Sequence, residues 1–421
     1  MFEPYIRFFQ SGSGQITLKF LYYSAFVWVP GLLLFWLWEM FVDYKRAQYM
    51  AKQTYVLLEI KLPKEIFKSP RAAEFFIAGM NKKDFERNWH EIYLKGQSRQ
   101  DFSLEIASID GAIHFFIRAR KAQKNIIEAN IYSQYPGVEI YEVPDYTLPV
   151  TFNPDVHGLT AFEFDLTKAD AYPIKTYMDY GMDKDPKEEF KIDPLTPLIE
   201  FMASLGRGQQ AWFQIIIRAH KEEDVDPKTG KAIDKRWKKG AEDEIVKIQE
   251  SAKGEKGADG KFVPGMGRQL NENEQETIKA LGRSLSKVPF DVGMRIIYTA
   301  PKDIFVGANI GGMIGGIAHF NSNNLNGFKP ARGSSDNIPF FNKYFGLIIP
   351  RSEKARNKER QEMLDAYKRR AYFFKPYKRP YFVLNSEELA TLYHFPGQVS
   401  TTPTFGRIGS KKAEAPVNIP V

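Results

Sequence analysis

DFSLEIASIDGAIHFFIRA, residues 101–119, decides how the folded part of this chain is read. FSLEIASI (102–109) and AIHFFIRA (112–119) have strand composition, and Asp110-Gly111 between them is a two-residue hairpin signal. Working outward, TYVLLEIKLP (54–63) alternates like a strand and stops at Pro63. Ser69-Pro70 then opens a helix whose apolar face is Ala72, Ala73, Phe75, Phe76 and Met80. Downstream, KAQKNIIEANIYSQYP (121–136) spaces Ile126, Ile127, Asn130, Ile131 and Gln134 helically, and VEIYEVP (138–144) closes as a strand. The order β-α-β-β-α-β predicts an α+β, ferredoxin-like split βαβ sandwich over 54–145, with one additional strand at Trp89 to Leu94.

A second block, 159–320, repeats the rhythm. LTAFEFDL (159–166) and QAWFQIIIRAH (210–220) read as strands, with a helix from Asp193-Pro194 between them. A helix over 272–287 and the strand FDVGMRIIYTA (290–300) follow. IHFFIRA and FQIIIRA look alike, so the expectation is a second sandwich, a diverged duplicate of the first. An insertion at 221–264, rich in Lys, Glu, Asp and Gly, lacks the apolar surface to offset its ordering entropy, apart from a solvated helix at 241–253.

Ahead of both blocks lies FLYYSAFVWVPGLLLFWLWEMFV (20–42), whose single charge is Glu39. It is long enough to cross a bilayer as a helix. A cleaved signal would have a shorter apolar core and a small-residue cleavage site, and a buried core helix would need a large domain around it, whereas only residues 1–19 precede this one. Pro30-Gly31 predicts a kink, or a re-entrant hairpin. Arg7 and Lys19 against Glu3 lie before the span, and Lys45, Arg46, Lys52, Lys61 and Lys64 lie after it. The positive excess therefore puts the large C-terminal part in the cytoplasm at the cell membrane, and the absence of cysteine agrees.

The net charge of +8 is concentrated late: residues 328–421 hold 17 Lys and Arg against 8 Asp and Glu. In 328–395, a charged helix from Arg351 to Tyr367 is followed by Lys368, Arg369, Arg370, Lys375, Lys378 and Arg379, interleaved with Tyr372, Phe373, Phe374, Tyr377, Tyr381 and Phe382. Such a pattern is a candidate contact for nucleic acid or anionic lipid, against the plainer reading of a solvated helix and an ordinary strand.

The glycine-rich, histidine and nucleophile patterns of the common enzyme classes are incomplete in this sequence. Gly230-Lys231 is followed by Ala232, so no phosphate-binding loop is present. GANIGGMIGGIAHF (307–320) lacks dinucleotide-loop spacing and predicts close helix packing through Gly311 with Gly315, and Gly312 with Gly316. His90-Glu91 begins a zinc-protease pattern, but Leu94 stands where its second histidine belongs. No nucleophile elbow and no cysteine nucleophile occur, leaving only a carboxylate site of unrecognised type as an enzymatic option. The expectation is no metal, no cofactor and no catalytic residue.

The C-terminal stretch VLNSEELATLYHFPGQVSTTPTFGRIGSKKAEAPVNIP (383–420) carries a family resemblance. Ser386-Glu387-Glu388-Leu389-Ala390, His394-Phe395-Pro396-Gly397, Ser410-Lys411-Lys412-Ala413, and Pro416, Asn418 and Pro420 resemble the lead-in to the motor core of membrane-linked conjugative-transfer and type IV secretion ATPases, relatives of the FtsK-HerA superfamily. Gln134-Tyr135-Pro136 and its surroundings are similar to their N-terminal region. The chain ends where that motor would begin, so the resemblance implies no ATPase activity here. It implies either a platform in the bilayer whose proline-punctuated tail, 396–421, docks a separate motor ATPase of FtsK-HerA type, or a motor-free accessory subunit; a homo-oligomer is a separate expectation about partners. The runner-up is a membrane-tethered nucleic-acid-binding protein using 351–382.

Overall fold

The computed structural model describes residues 12–63, 68–82, 88–183, 193–221, 224–225, 232–233, 237–254, 267–333 and 352–396. Two compact units result, one of residues 1–53 with 84–98, the other of 54–83 with 99–421.

The first unit is built on α1 (Gly12–Ala51), a helix of 40 residues. It is long and apolar enough to cross a membrane, and its apolar side chains stand open, Phe26 at 78% and Leu34 at 65% exposure. Pro30 lies inside it and the helix continues through, so the hairpin alternative does not occur. Residues 90–94, expected as a strand, form one π-helical turn instead. The Lys95 amide bonds the His90 carbonyl, an i→i+5 closure that a strand does not make.

The second unit contains β1 (Tyr55–Lys61), α2 (Pro70–Ala78), β2 (Asp101–Ile109), β3 (Ala112–Arg120), α3 (Lys124–Gln134) and β4 (Glu139–Val143). After these come β5 (His157–Leu166), α4 (Thr196–Ala203), β6 (Gln210–Ala219), α5 (Lys238–Ala252), α6 (Glu272–Leu285), β7 (Pro289–Pro301), α7 (Ala308–Ala318) and β8 (Phe328–Gly333). It finishes with α8 (Glu353–Lys368), β9 (Phe382–Asn385) and α9 (Ser386–Leu392). Asp110 and Gly111 take φ of 56° and 83°, the double positive φ that a tight hairpin between β2 and β3 requires.

These nine strands form one antiparallel sheet, ordered β8-β5-β7-β6-β2-β3-β1-β4, with β9 on the free end of β7, and Asp224–Val225 pairs with Ala232–Ile233 apart from it. Each half, numbered by its own strands, runs 4-1-3-2: β4-β1-β3-β2 and β8-β5-β7-β6. The halves meet second strand to second strand, Asp101–Ile109 lying along Gln210–Arg218. Two separate sandwiches would each leave such a strand as an open edge, and pairing them removes both edges. IHFFIRA and FQIIIRA, paired as a repeat in the sequence, occupy non-corresponding strands, β3 and β6.

Region 328–395 is likewise not separate. β8 completes the second half beside β5, and β9 takes the part of β7 that β5 does not reach. One face of the sheet packs against α2, α3, α4, α7 and α9, giving the large apolar core. Opposite it, a smaller cluster around Trp212, Phe116 and Tyr367 lies under α8. Within 221–264 the expected helix is α5; residues 255–264, like the tail 397–421 and residues 1–11, fall outside the described residues.

Candidate functional site

The basic segment lies on the polar face of the sheet. Alternation puts Phe102, Leu104 and Ile106 of β2 into the helix-side core, and Asp101, Ser103 and Glu105 on the other side. Across the strands, Glu105 faces Gln214, Gln214 faces Arg295 and Arg295 faces Glu163; two rows away on the same face, Asp101 faces Arg218 and Arg218 faces Asp291. Every one of these groups is buried. A face so charged is stable only when its charges find partners.

Residues 353–381 supply some of them, and the sheet and its neighbouring loops supply the rest. α8 ends in a Schellman turn, Ala371 N–H bonding Ala366 and Arg370 N–H bonding Tyr367, with Arg370 at the left-handed position usually given to glycine, φ 50°. That turn sends the Arg370 guanidinium down to the sheet. Its Nε and Nη2 donate to the two Glu105 oxygens at 2.8 and 3.0 Å, and it also binds Asp145. Ser103, Gln214 and Tyr146 add donors to Glu105 at 2.6, 3.1 and 2.8 Å. Burial pushes the Glu105 carboxyl up, and Arg370 with these donors more than offsets it, holding the carboxyl below its ordinary value. Burial pulls the Arg370 guanidinium down, and Glu105 raises it well above normal. The pair is ionised and closed.

A second knot lies on Asp291. Arg99 and Arg218 donate to its Oδ2 at 3.0 and 2.8 Å, and His220 Nδ1 lies 2.5 Å from Oδ1. Burial raises this carboxyl, and the hydrogen bond from His220 together with Arg218 and Arg99 more than offsets it, to a net depression. The Arg218 guanidinium is also covered by rings, with Phe373 at 4.1 Å and Tyr381 at 5.2 Å.

The six cations proposed from sequence thus separate. Arg370 is buried in the core, so it is corrected from a surface contact to an internal counter-ion of Glu105. Arg379 lies 3.4 Å from the Glu163 carboxylate and is three-quarters buried. Lys368 is half-buried at the end of α8, and Arg369, 66% exposed, donates to Asp365. Lys375 and Lys378 are exposed. The interleaved rings Tyr372 and Phe373 are buried, Tyr372 lying over Gly293 and 5.1 Å from Arg295. The partners Glu105, Glu163 and Asp291 went unnoticed in the sequence, although Asp101, Ser103 and Glu105 recur with a period of two.

The motif behind the resemblance is equally interior. From Phe382 to Pro396 every residue is buried. Asn385 and Glu388 form a capping box for α9, and Glu388 also accepts the Ile174 N–H at 2.8 Å. Burial raises the Glu388 carboxyl to about 8. Glu387 binds Arg283 and Lys287 at 2.9 and 3.3 Å, and His394 lies 3.1 Å from Asp193. Phe395 packs among Phe76, Phe115 and Tyr135, at 6.1, 5.5 and 4.8 Å between ring centres. Ser410 to Pro420 lie outside the described residues. Among the described residues, no cluster of His, Asp and Glu has the makings of a metal centre.

No curated protein matches the chain. A family model described as a domain of unknown function, DUF8128, matches residues 48–405, from the last turn of α1 through α9 and beyond. The chain therefore belongs to the DUF8128 family.

Proposed function

We propose that this protein is a non-enzymatic, membrane-anchored platform, with α1 in the bilayer, the sheet unit in the cytoplasm, and a separate motor ATPase of FtsK-HerA type as partner in a conjugation- or type IV secretion-like apparatus. The observation that carries the platform reading is the fate of the charges. The basic segment, the strongest surface-site signal in the sequence, spends Arg370 and Arg379 on carboxylates of its own sheet and its rings on Arg218 and Gly293. Such a face is an internal brace.

Anchoring is supported by the length and open apolar surface of α1. The cytoplasmic side is supported by the cations that follow the span. The 4-1-3-2 order in both halves supports descent from two ferredoxin-like units fused edge to edge. The motor partner rests on the resemblance at 383–420.

Membranes carrying the full chain test the reading. The protein is expected to resist carbonate extraction, and a motor ATPase is expected to co-purify with it and be lost on deletion of 397–421. Retention of the motor after that deletion defeats tail docking. Exposed Lys375 and Lys378 favour the nucleic-acid alternative. Steeply salt-dependent DNA binding that disappears in Lys375→Gln/Lys378→Gln would establish it instead.

A further inference from the structure

In the first unit, α1 and the turn at 90–94 assemble a cluster of rings from sequence-distant positions. Trp38 stacks on Trp89 at 6.1 Å with planes 13° apart, and Tyr93 lies 5.9 Å from Trp38 and 5.7 Å from Trp89. The turn is tied down beside the helix. Gly96, at φ +66°, lies so close that an added Cβ would stand 2.3 Å from the Lys45 carbonyl, and Ser98 Oγ donates to Met50 Sδ at 3.3 Å. Yet the rings remain open, Trp89 at 59% and Trp38 at 40% exposure. A contiguous open aromatic surface calls for a partner.

Its position along α1 says which. Tyr22 and Tyr23 begin the apolar run, and Trp38 to Phe41 end it, a separation of roughly 24–28 Å at about 1.5 Å per residue, close to the thickness of a hydrocarbon core, about 30 Å. Tryptophan and tyrosine, apolar rings with one polar edge, concentrate at the two headgroup layers. Lys45 lies over the Phe41 ring at 5.5 Å, and Lys95 is exposed on the same turn, both suited to lipid phosphate.

We propose that residues 88–96 form a second membrane contact, a turn that seats Trp89 and Tyr93 in the headgroup layer beside α1. The proposal rests on the reading that α1 spans the bilayer and adds to it a segment some fifty residues away in sequence. It fixes both the rotation of α1 and the depth at which the chain leaves the membrane.

The absence of cysteine allows a clean test. His90→Cys, exposed and leaving every ring in place, Leu33→Cys in mid-helix and Val156→Cys on the sheet unit are each labelled with an environment-sensitive fluorophore. The full chain is then reconstituted in phosphatidylcholine–phosphatidylglycerol vesicles carrying spin labels either at the headgroup or at mid-acyl depth. The Leu33 site should be quenched by the deep label. The His90 site should be quenched roughly twofold or more by the headgroup label over the deep one, with Val156 quenched by neither, and Trp89→Ala should abolish the His90 signal. Deep quenching at Leu33 with His90 no different from Val156 overturns the proposal and leaves the anchor standing. An unquenched Leu33 site overturns the anchor, and the proposal with it.

Discussion

The two faces of the sheet are made by the same strands and are held in opposite ways. On the helix side, Leu104, Ile106, Phe213, Ile215, Met294 and Ile296 belong to a core shared with helices spread from α2 to α9. On the other side Glu105, Gln214, Arg295 and Glu163 form a cross-strand row covered mainly by 353–381, with Asp145 and Tyr146 beside it. Apolar contact is non-directional and tolerates substitution, whereas a buried carboxylate accepts only the donor placed for it. One face is therefore a store of stability, and the other specifies where the C-terminal segment sits.

The sharpest break in that comparison is Arg370→Leu. It leaves Glu105 buried without its bidentate partner, a loss of about 3–5 kcal/mol, read as a fall in the urea midpoint of the detergent-solubilised full chain. Adding Glu105→Gln should recover much of it, because the stranded charge goes. Equal loss in the single and the double variant would mean that packing of α8, and not charge pairing, holds the segment. On the opposite face Leu389→Ala, fully buried in α9, should cost about 2–5 kcal/mol, with no second substitution able to restore it by neutralisation.

That asymmetry also explains what the sequence disclosed. The β2–β3 hairpin was legible because Asp110-Gly111 sits between two strand-like runs, and the observed strands, 101–109 and 112–120, extend the expected ones by a residue. Helix α6 was legible within two residues, with Asn271 and Glu274 closing its N-terminus in a capping box. The charged face was not. A run such as Lys368-Arg369-Arg370 looks solvated until a left-handed turn at Arg370, unmarked by glycine, swings one of the three inward. Pairing of β2 with β6 was hidden for a similar reason, since edge-to-edge association leaves no local signal. β8 was missed because FKPARG carries Pro330 and Gly333, and it is tolerated only at the outer edge of the sheet.

The acid of α9 gives the next, smaller effect. Glu388 has its carboxyl raised from 4.5 to about 8 by burial, against the pull of the Asn385 and Ile174 amides. A raised acid favours the folded state while protonated. Its contribution is full below about pH 4.5, where folded and unfolded chains are both protonated, and is lost as pH rises toward about 8. Within that window stability should fall by at most about 1.4 kcal/mol per pH unit from this group. His394, raised by Asp193 against the effect of its own burial, adds a loss of the same sign. Glu388→Gln should flatten the profile of unfolding midpoint against pH. An unchanged slope would mean that the two amides keep the carboxylate ionised.

The smallest effect changes sign within a single helix on the apolar face. α7 carries Gly311, Gly312, Gly315 and Gly316, and both pairs were expected to permit close packing. Only one does: a Cβ on Gly312 would stand 2.2 Å from the Phe201 ring and one on Gly316 2.9 Å from the Leu198 Cα, whereas Gly311 and Gly315 have nothing within 4 Å. Gly316→Ala should therefore force α7 off α4, costing about 1–3 kcal/mol. Gly311→Ala and Gly315→Ala meet no neighbour and replace the poorest non-proline helix former, so each should stabilise by about 0.5–1 kcal/mol. Opposite shifts in urea midpoint among these adjacent glycines would locate the buried side of α7. If Gly315→Ala destabilised as much as Gly316→Ala, a partner would have to cover the open side, and the contrast between the sealed helix face and the braced charged face would need redrawing at α7.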